Sequence, residues 1–328
     1  MANILLTQRC VRSCPYCFAR KHMDDSAEDT ISWQDIIYIA DLFESGGERH
    51  LSLLGGEPTL HPDFIDILLY LLRRNFHISV FTSGIMAESK LEELARSLEN
   101  ENPEQYAFIC NLNHPDLSKP EETGRIEEFL KIFGGQVTLS FNIYRIDFEM
   151  EYLFDTINRF DLKRHIRLGL AHPIPGEQNE YIPPEQFPEM AGRLLLYLPV
   201  FIKNNVSPGF DCGFPLCLFS DDQLGKLMRL QKGVFNTVKF VCNPAIDIGP
   251  DMSVWSCFPL SNVRKRSLFE FDSVREIADY YKEFHREVRS RQSGLFPECD
   301  GCVYIDNDLC AGGCLAHILD REMREARV

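Results

Sequence analysis

From residue 3 to about 172, short apolar runs alternate with stretches whose apolar residues recur every three or four positions. The runs Asn3–Thr7, His50–Leu54, His77–Thr82, Ala107–Leu112, Val137–Ile143 and His165–Ala171 have the length and composition of strands. Between the first two, Trp33, Ile36, Ile37, Ala40 and Phe43 share one helical face, with Ser32 placed to cap its start and Gly46 to end it. Phe64, Ile65, Leu68, Leu69 and Leu72 make a second face after Pro62. Ile126, Phe129, Leu130 and Phe133 make a third, closed by Gly134 and Gly135, and Phe148, Leu153, Phe154 and Ile157 a fourth. Six strands alternating with helices predict an α/β fold with a parallel sheet and right-handed crossovers. The length suits a partial (β/α)6 barrel better than a complete eight-fold one.

Near residue 172 the alternation stops. Pro173, Pro175, Pro183 and Pro184 mark an irregular connection, and a helix is expected near 185–205. After Pro208, cysteines return among glycines and prolines. The expected division is therefore a barrel over residues 1–205 and a small cysteine-rich domain over 206–328. A chain of 328 residues accommodates both. The formal net charge of −15 speaks against nucleic acid or an anionic membrane as partner. The opening MANILLTQRC has no basic region and no long apolar core, so no signal peptide is expected. No run of about 20 apolar residues is present to span a bilayer. These features predict a cytoplasmic protein.

Twelve cysteines change this ordinary picture. In a reducing compartment metal binding explains so many thiols better than disulfides do. Three stand at positions 10, 14 and 17, one at 110, and eight beyond residue 211. The segment Cys10-Val-Arg-Ser-Cys14-Pro-Tyr-Cys17 directly follows the first strand, where loops of this barrel class collect at the catalytic face. Three thiolates on one tight loop can bind three irons of a cubane cluster and leave the fourth iron open for a ligand that reacts there. A zinc site is the competing reading. It lacks a fourth ligand nearby, His22 standing awkwardly close in sequence.

Cys-x3-Cys-x2-Cys with an aromatic residue, here Tyr16, before the last cysteine resembles the signature of the radical S-adenosylmethionine (SAM) superfamily. The resemblance implies a TIM-like partial barrel in which Cys10, Cys14 and Cys17 hold a catalytic 4Fe–4S cluster. It also implies that the amine and carboxylate of SAM chelate the open iron. One electron then cleaves SAM to methionine and a 5′-deoxyadenosyl radical, which takes a hydrogen from the substrate. Leu54-Gly55-Gly56-Glu57-Pro58, directly after the second strand, is similar to the family's Gly-Gly-Glu motif at the amino group of SAM. Two glycines allow close backbone approach to a ligand, and Glu57 offers an acceptor for an ammonium group. Family analogy further assigns Ser83, Asn111, Asn113, Ser140 and Asn142, all at or near strand ends, to the ribose or carboxylate of SAM. Polar rim residues that satisfy turns are the equal alternative for each. His172 ends the sixth strand, facing substrate or hydrogen-bonded at the rim, and Cys110 reads as an inert buried thiol.

Downstream, Cys242 and Cys257 flank a segment that reads as a hairpin, with Ile246 and Ile248 before a Gly249-Pro250-Asp251 turn and Val254 after it. A hairpin brings its two ends, and so both cysteines, within reach of one metal centre. Cys299-x2-Cys302-x7-Cys310-x3-Cys314 follows. Together these resemble the SPASM extension, an auxiliary-cluster domain of one branch of radical SAM enzymes, and the likeness covers residues 1–317 in outline. Eight C-terminal cysteines suffice for two fully ligated 4Fe–4S clusters. The family usually draws its last ligand from a cysteine well downstream of the Cys-x3-Cys pair, and none follows Cys314 here. Two upstream thiols, Cys212 and Cys217, stand in Asp211-Cys212-Gly-Phe-Pro-Leu-Cys217. One would serve a first auxiliary cluster with Cys242, Cys257 and Cys314. The other would complete a second with Cys299, Cys302 and Cys310, or stay a free thiol near the substrate. A structural zinc knuckle over 299–314 is the plainer alternative.

The reaction class implied is hydrogen abstraction begun by SAM cleavage, ending in oxidation or in a C–C or thioether bond. Asp211 is a candidate proton acceptor beside the substrate, or a turn residue capping the Cys212-Gly213 backbone. The leading substrate is a peptide or protein side chain. The cysteine triplet begins at residue 10, so a leader-peptide-recognition domain is expected only as a separate protein. A reductant such as flavodoxin or ferredoxin is the other expected partner. The runner-up is an oxidoreductase of a small molecule or a cofactor-biosynthesis enzyme. A non-catalytic iron–sulfur electron carrier or redox sensor is the reading from another class.

Overall fold

The computed structural model describes residues 2–19, 30–211, 213–230 and 240–326. All six expected strands form: β1 (Ala2–Thr7), β2 (His50–Gly55), β3 (His77–Thr82), β4 (Tyr106–Asn111), β5 (Val137–Ile143) and β6 (His165–Leu170). They lie side by side in chain order, every adjacent pair parallel. A seventh parallel strand, β7 (Ser207–Phe210), continues the sheet beyond β6. Every residue of β1 is buried, because a parallel sheet is covered on both faces.

Crossover helices cover the outer face: α1 (Trp33–Ser45), α2 (Phe64–Arg73), α3 (Glu88–Leu98), α4 (Pro120–Phe133) and α5 (Glu151–Phe160). The Ser32 side chain caps α1 by accepting from the Asp35 N–H at 3.1 Å, and Gly46 ends that helix, as the sequence predicts. Sequence pattern missed α3, whose buried stripe is only Leu91, Leu94 and Leu98 among charged residues. Phe148 precedes α5 rather than joining it, although its ring is buried. The single helix expected near 185–205 is two, α6 (Phe187–Leu195) and α7 (Leu198–Lys203). Pro199 sits in the first turn of α7, where a missing N–H breaks no helical bond.

The C-terminal part comprises α8 (Asp221–Leu230), β8 (Ile246–Ile248), β9 (Ser253–Ser256), β10 (Arg266–Ser267), α9 (Val274–Arg291), α10 (Val303–Asp306) and α11 (Leu315–Glu325). The expected hairpin is β8–β9, antiparallel, with Ile248 opposite Val254. Its first strand lies parallel to β1, with Ala2 opposite Ile246, so the open ten-stranded sheet runs β10-β9-β8-β1-β2-β3-β4-β5-β6-β7. The expected division at residue 205 falls between α7 and β7, and strands from its far side are bonded to both edges of the sheet begun on its near side. Among the described residues, no helix is long and apolar enough to cross a membrane.

One buried pair marks the β1–β8 seam. The Asn3 side chain donates to Asp247 Oδ1 at 2.5 Å, while Asp247 Oδ2 has no partner. Burial pushes the Asp247 carboxyl up to about 8, so it stays protonated in the folded chain at pH values where the unfolded chain ionises it. Ionisation of this group therefore subtracts stability as pH rises from about 4, the unfolded value, through 8. Asp247→Asn keeps the shape and removes the proton. Melting temperatures of the two proteins should draw apart between pH 5 and 8, the variant gaining, whereas parallel profiles would exclude a shifted Asp247.

Candidate active site

The triplet loop leaves β1 at the carboxyl end of the parallel strands. Its turn closes with the Cys17 N–H donating to Cys14 O at 3.1 Å, and the Arg12 N–H donates to Cys10 Sγ at 3.4 Å. Burial, opposed by the Arg12 backbone contact, pushes the Cys10 thiol up to about 11. None of the described cysteines forms a disulfide.

The Gly-Gly-Glu segment is stitched to this loop through backbone. Gly56 N–H donates to Thr7 O and Glu57 N–H to Arg9 O, each at 2.7 Å. A Cβ on Gly55 would lie 2.2 Å from Thr7 O, and one on Gly56 would lie 2.2 Å from Arg9 O. The close approach these glycines permit is therefore to the strand and loop that carry the cysteines. The Glu57 side chain is buried, and both of its oxygens are engaged. Oε1 accepts from Thr82 Oγ1 at 2.7 Å and Thr59 Oγ1 at 2.9 Å, while Oε2 accepts from Ser83 N at 2.8 Å and Ser83 Oγ at 2.6 Å. Glu57 thus ties β3 to the turn after β2. Pro58 opens the short 3-10 turn that Glu57 caps.

Across the barrel mouth a polar chain connects the other predicted residues. Asn111, ending β4, donates to Tyr16 Oη at 2.9 Å and accepts at Oδ1 from Asn142 of β5 at 3.0 Å. Arg12 donates to Asn111 O at 2.8 Å. Ser140 accepts from Arg167 Nη1 at 2.9 Å, and the other arm of Arg167 pairs with Asp211 beyond β7. Burial raises the Asp211 carboxyl and the Arg167 charge opposes it. Asn113 lies half-buried in the loop after β4, outside this chain. Arg167 was missed in the sequence. Its signal is a lone cation within the apolar run His165-Ile-Arg-Leu-Gly-Leu170, pointing inward beside Phe81, 5.1 Å from that ring's centre. His172 and His317 of α11 meet at 3.3 Å, Nδ1 to Nε2. The Tyr16 ring rests on Tyr144, centroids 4.9 Å apart. Tyr144 opens a loop that, with Arg145, Tyr181, Gln186, Glu189 and Arg193, walls a cleft of about 640 Å³.

Two buried side-chain atoms at the triplet lack a hydrogen-bond partner: Gln8 Oε1, an acceptor, and Arg12 Nη2, a donor. With three thiols on one loop, this donor set suits an iron–sulfur cluster and a ligand bearing both an amine and a carboxylate.

The C-terminal cysteines fall into two neighbourhoods. In the first, the Ala245 N–H donates to Cys257 Sγ at 3.4 Å, and Cys242 Sγ lies 3.8 Å from Nδ1 of His285, whose Nε2 meets Ser256 Oγ at 2.6 Å. Burial pushes the Cys314 thiol up to about 12, and the neighbouring Cys242 thiolate adds to that rise. In the second, Cys310 Sγ accepts from the Leu216 N–H at 3.4 Å and the Gly312 N–H at 3.3 Å, with the exposed Cys217 next to Leu216, and the Cys302 N–H donates to Cys299 O at 3.3 Å. Arg289 of α9, largely buried, feels Cys242, Cys314, Cys299 and Cys310 together. Cys212 and His22 lie outside the described residues. Among those described, no three His, Cys, Asp or Glu side chains converge on a single-ion site. A cubane takes one thiolate per iron, so its four sulfurs need not converge on one point.

An open parallel barrel with a three-thiol loop after its first strand defines a class, and the sequence carries that class's own mark. Residues 4–141 match the Radical SAM superfamily. The chain is 33% identical over 129 residues, 35% of its length and 46% of the relative's, to an S-adenosylmethionine-dependent nucleotide dehydratase of Selenomonas ruminantium. It is 29% identical over 180 residues, 51% of its length and 45% of the relative's, to a PqqA peptide cyclase of Methylobacterium sp. (strain 4-46). It thus spans less than half of either relative. Over 97% of the chain the fold is similar to 73% of Streptococcus suis SuiB bound to S-adenosylmethionine, with TM-score 0.67 and 14% identity. Over 96% it is similar to 89% of native anSMEcpe with bound AdoMet, with TM-score 0.63 and 15% identity.

Gly56→Ala should force the triplet loop away from the Gly-Gly-Glu turn, because its methyl group meets backbone rather than a movable side chain. Overpacking of this kind costs about 1–3 kcal/mol. The variant should melt lower and take up less iron on reconstitution. Unchanged melting and unchanged iron would show that the stitch does not hold the loop.

Proposed function

We propose that this chain is a radical SAM enzyme that modifies a peptide or protein side chain, with a C-terminal part from residue 206 that carries auxiliary 4Fe–4S clusters. The observation that carries the reading is the triplet loop, held by the Gly-Gly-Glu backbone at the carboxyl end of the strands with Gln8 Oε1 and Arg12 Nη2 buried and unpartnered beside it. Cys10, Cys14 and Cys17 would hold the catalytic cluster. Cluster and SAM together supply reductive cleavage of SAM and hence a hydrogen-abstracting radical. The chain's own contribution is placement. Asn111 and Asn142 fix the Tyr16 ring over the loop, and Arg167 fixes Asp211 at the far side of the mouth. Asp211 is the carboxylate placed to receive the proton that substrate oxidation releases.

Two features support a peptide substrate: likeness to a PqqA peptide cyclase over half the chain, and an open cleft of about 640 Å³ walled by aromatic, cationic and anionic side chains, among them Tyr144, on which Tyr16 packs. Likeness to a nucleotide dehydratase over 129 residues supports a small-molecule substrate as the second reading. A flavodoxin- or ferredoxin-type reductant is the partner this function requires, and a leader-recognition protein would be a further one for a peptide substrate.

Anaerobically reconstituted protein given a strong reductant should release 5′-deoxyadenosine and methionine slowly without substrate. Replacing Cys10, Cys14 and Cys17 together by Ala should abolish release and lower iron from ~12 to ~8 per chain. Release that persists in the triple variant would end the reading. Mass spectrometry of short peptides encoded beside the gene, after incubation with enzyme and SAM, separates the two substrate classes: loss of hydrogens or a new crosslink favours peptide.

A further inference from the structure

We infer that Cys217 completes a four-thiol set with Cys299, Cys302 and Cys310 that holds one auxiliary 4Fe–4S cluster. This rests on the radical SAM reading with auxiliary clusters proposed above.

Three segments meet at this point. Cys217 lies at the centre of the 3-10 turn Leu216–Leu218, and the N–H of its neighbour Leu216 donates to Cys310 Sγ at 3.4 Å. Successive Cα atoms are about 3.8 Å apart, which puts Cys217 one residue from the sulfur of Cys310. That sulfur also receives the Gly312 N–H at 3.3 Å. Backbone N–H donors aimed at sulfur are a feature of cluster thiolates, and the same pattern occurs at Cys10 and Cys257. Cys299 and Cys302 sit at the two ends of one turn, the Cys302 N–H donating to Cys299 O at 3.3 Å. Cys302 caps α10, and Tyr304 within α10 accepts the Cys310 N–H at 3.1 Å. The Tyr304 hydroxyl closes the arrangement by donating to Asp221, four residues beyond Cys217, at 3.3 Å. Cys242 lies in the other neighbourhood against His285, and Cys257 adjoins Ser256, whose hydroxyl meets the same ring.

A cubane needs four thiolates, and Cys299, Cys302 and Cys310 supply three. Cys217 is exposed while Cys299 and Cys310 are buried, so the set would face solvent on the Cys217 side. Ala at 217 should therefore remove the ligand without opening the core.

The test is iron and sulfide reconstitution of the full chain, read by iron content with Mössbauer and paramagnetic resonance spectra. The variants are Cys217→Ala, Cys302→Ala, Cys257→Ala and, as a control outside both sets, Cys110→Ala. Wild type and Cys110→Ala should each carry ~12 irons. Cys217→Ala should lose the cluster, or convert it to a three-iron form, and the affected spectrum should be the one that Cys302→Ala affects. Slow release of 5′-deoxyadenosine should continue, since the triplet is untouched. Cys217→Ser, which keeps volume and offers oxygen for sulfur, should shift that same spectrum if the Ala variant does not fold. Cys217→Ala with a full complement of iron and wild-type spectra would overturn the assignment. So would a change in the cluster that Cys257→Ala affects. A wild-type chain with only ~4 irons would overturn the auxiliary clusters and this assignment together.

Discussion

Two backbone hydrogen bonds of 2.7 Å, from Gly56 to Thr7 and from Glu57 to Arg9, hold the site in its place. They can form only because positions 55 and 56 carry no side chain, since a methyl group at either would occupy the space of a carbonyl oxygen. The exit of β1, which starts the cysteine loop, and the exit of β2, which starts the Glu57 turn, are thereby made one rigid unit. Glu57 extends that unit to β3 through Thr82 and Ser83. A carboxylate buried among hydroxyl and amide donors is well satisfied, and removing it would strand several donors at once. The loop that bears the three thiols is therefore positioned by the sheet itself.

Much of this was legible in the sequence. Strand order, the Ser32 cap, the β8–β9 hairpin and the cysteine spacing all follow from local patterns, and each lies where its pattern predicts. Long-range pairing was not legible. Nothing local indicates that Ile246 pairs with Ala2, or that β7 continues a sheet whose periodic sequence ends near residue 172. The Gly-Gly-Glu segment resembles a ligand motif, and the close neighbour that its glycines admit in the structure is the chain's own Thr7–Arg9. Ser83 and Ser140 read equally as ligand contacts or as polar rim residues, and in the structure they hydrogen-bond Glu57 and Arg167. Arg167 was overlooked because one cation inside an apolar run carries no motif. It needs the partner across the barrel, Asp211, to acquire meaning.

The seven described downstream thiols, drawn into one part of the fold, raise an electrostatic problem, because thiolates repel one another and a buried charge is costly. Arg289 answers part of it. Its guanidinium is largely buried, donates to Ser293 O and Gly313 O, and feels thiols of both neighbourhoods. A second link is mechanical. Phe240, two residues before Cys242, exchanges backbone hydrogen bonds with Leu309 and Ala311 on either side of Cys310. The two sets of cysteines are thus tied by a shared cation and by a shared backbone ladder.

The seam between β1 and β8 also bears on the order in which the molecule can assemble. Asn3 and Asp247 are 244 positions apart, yet their strands are immediate neighbours. A ribosome delivers β1 first, and its outer edge stays an unpaired template until nearly three quarters of the chain has emerged. Such an edge invites pairing with other chains. Closing a contact of that separation is slow compared with forming the local βα units. The cysteine loop begins where β1 ends, so the strand beneath it is completed only by residues 246–248, far along the sequence. Any version of the chain that stops before β8 leaves that edge bare.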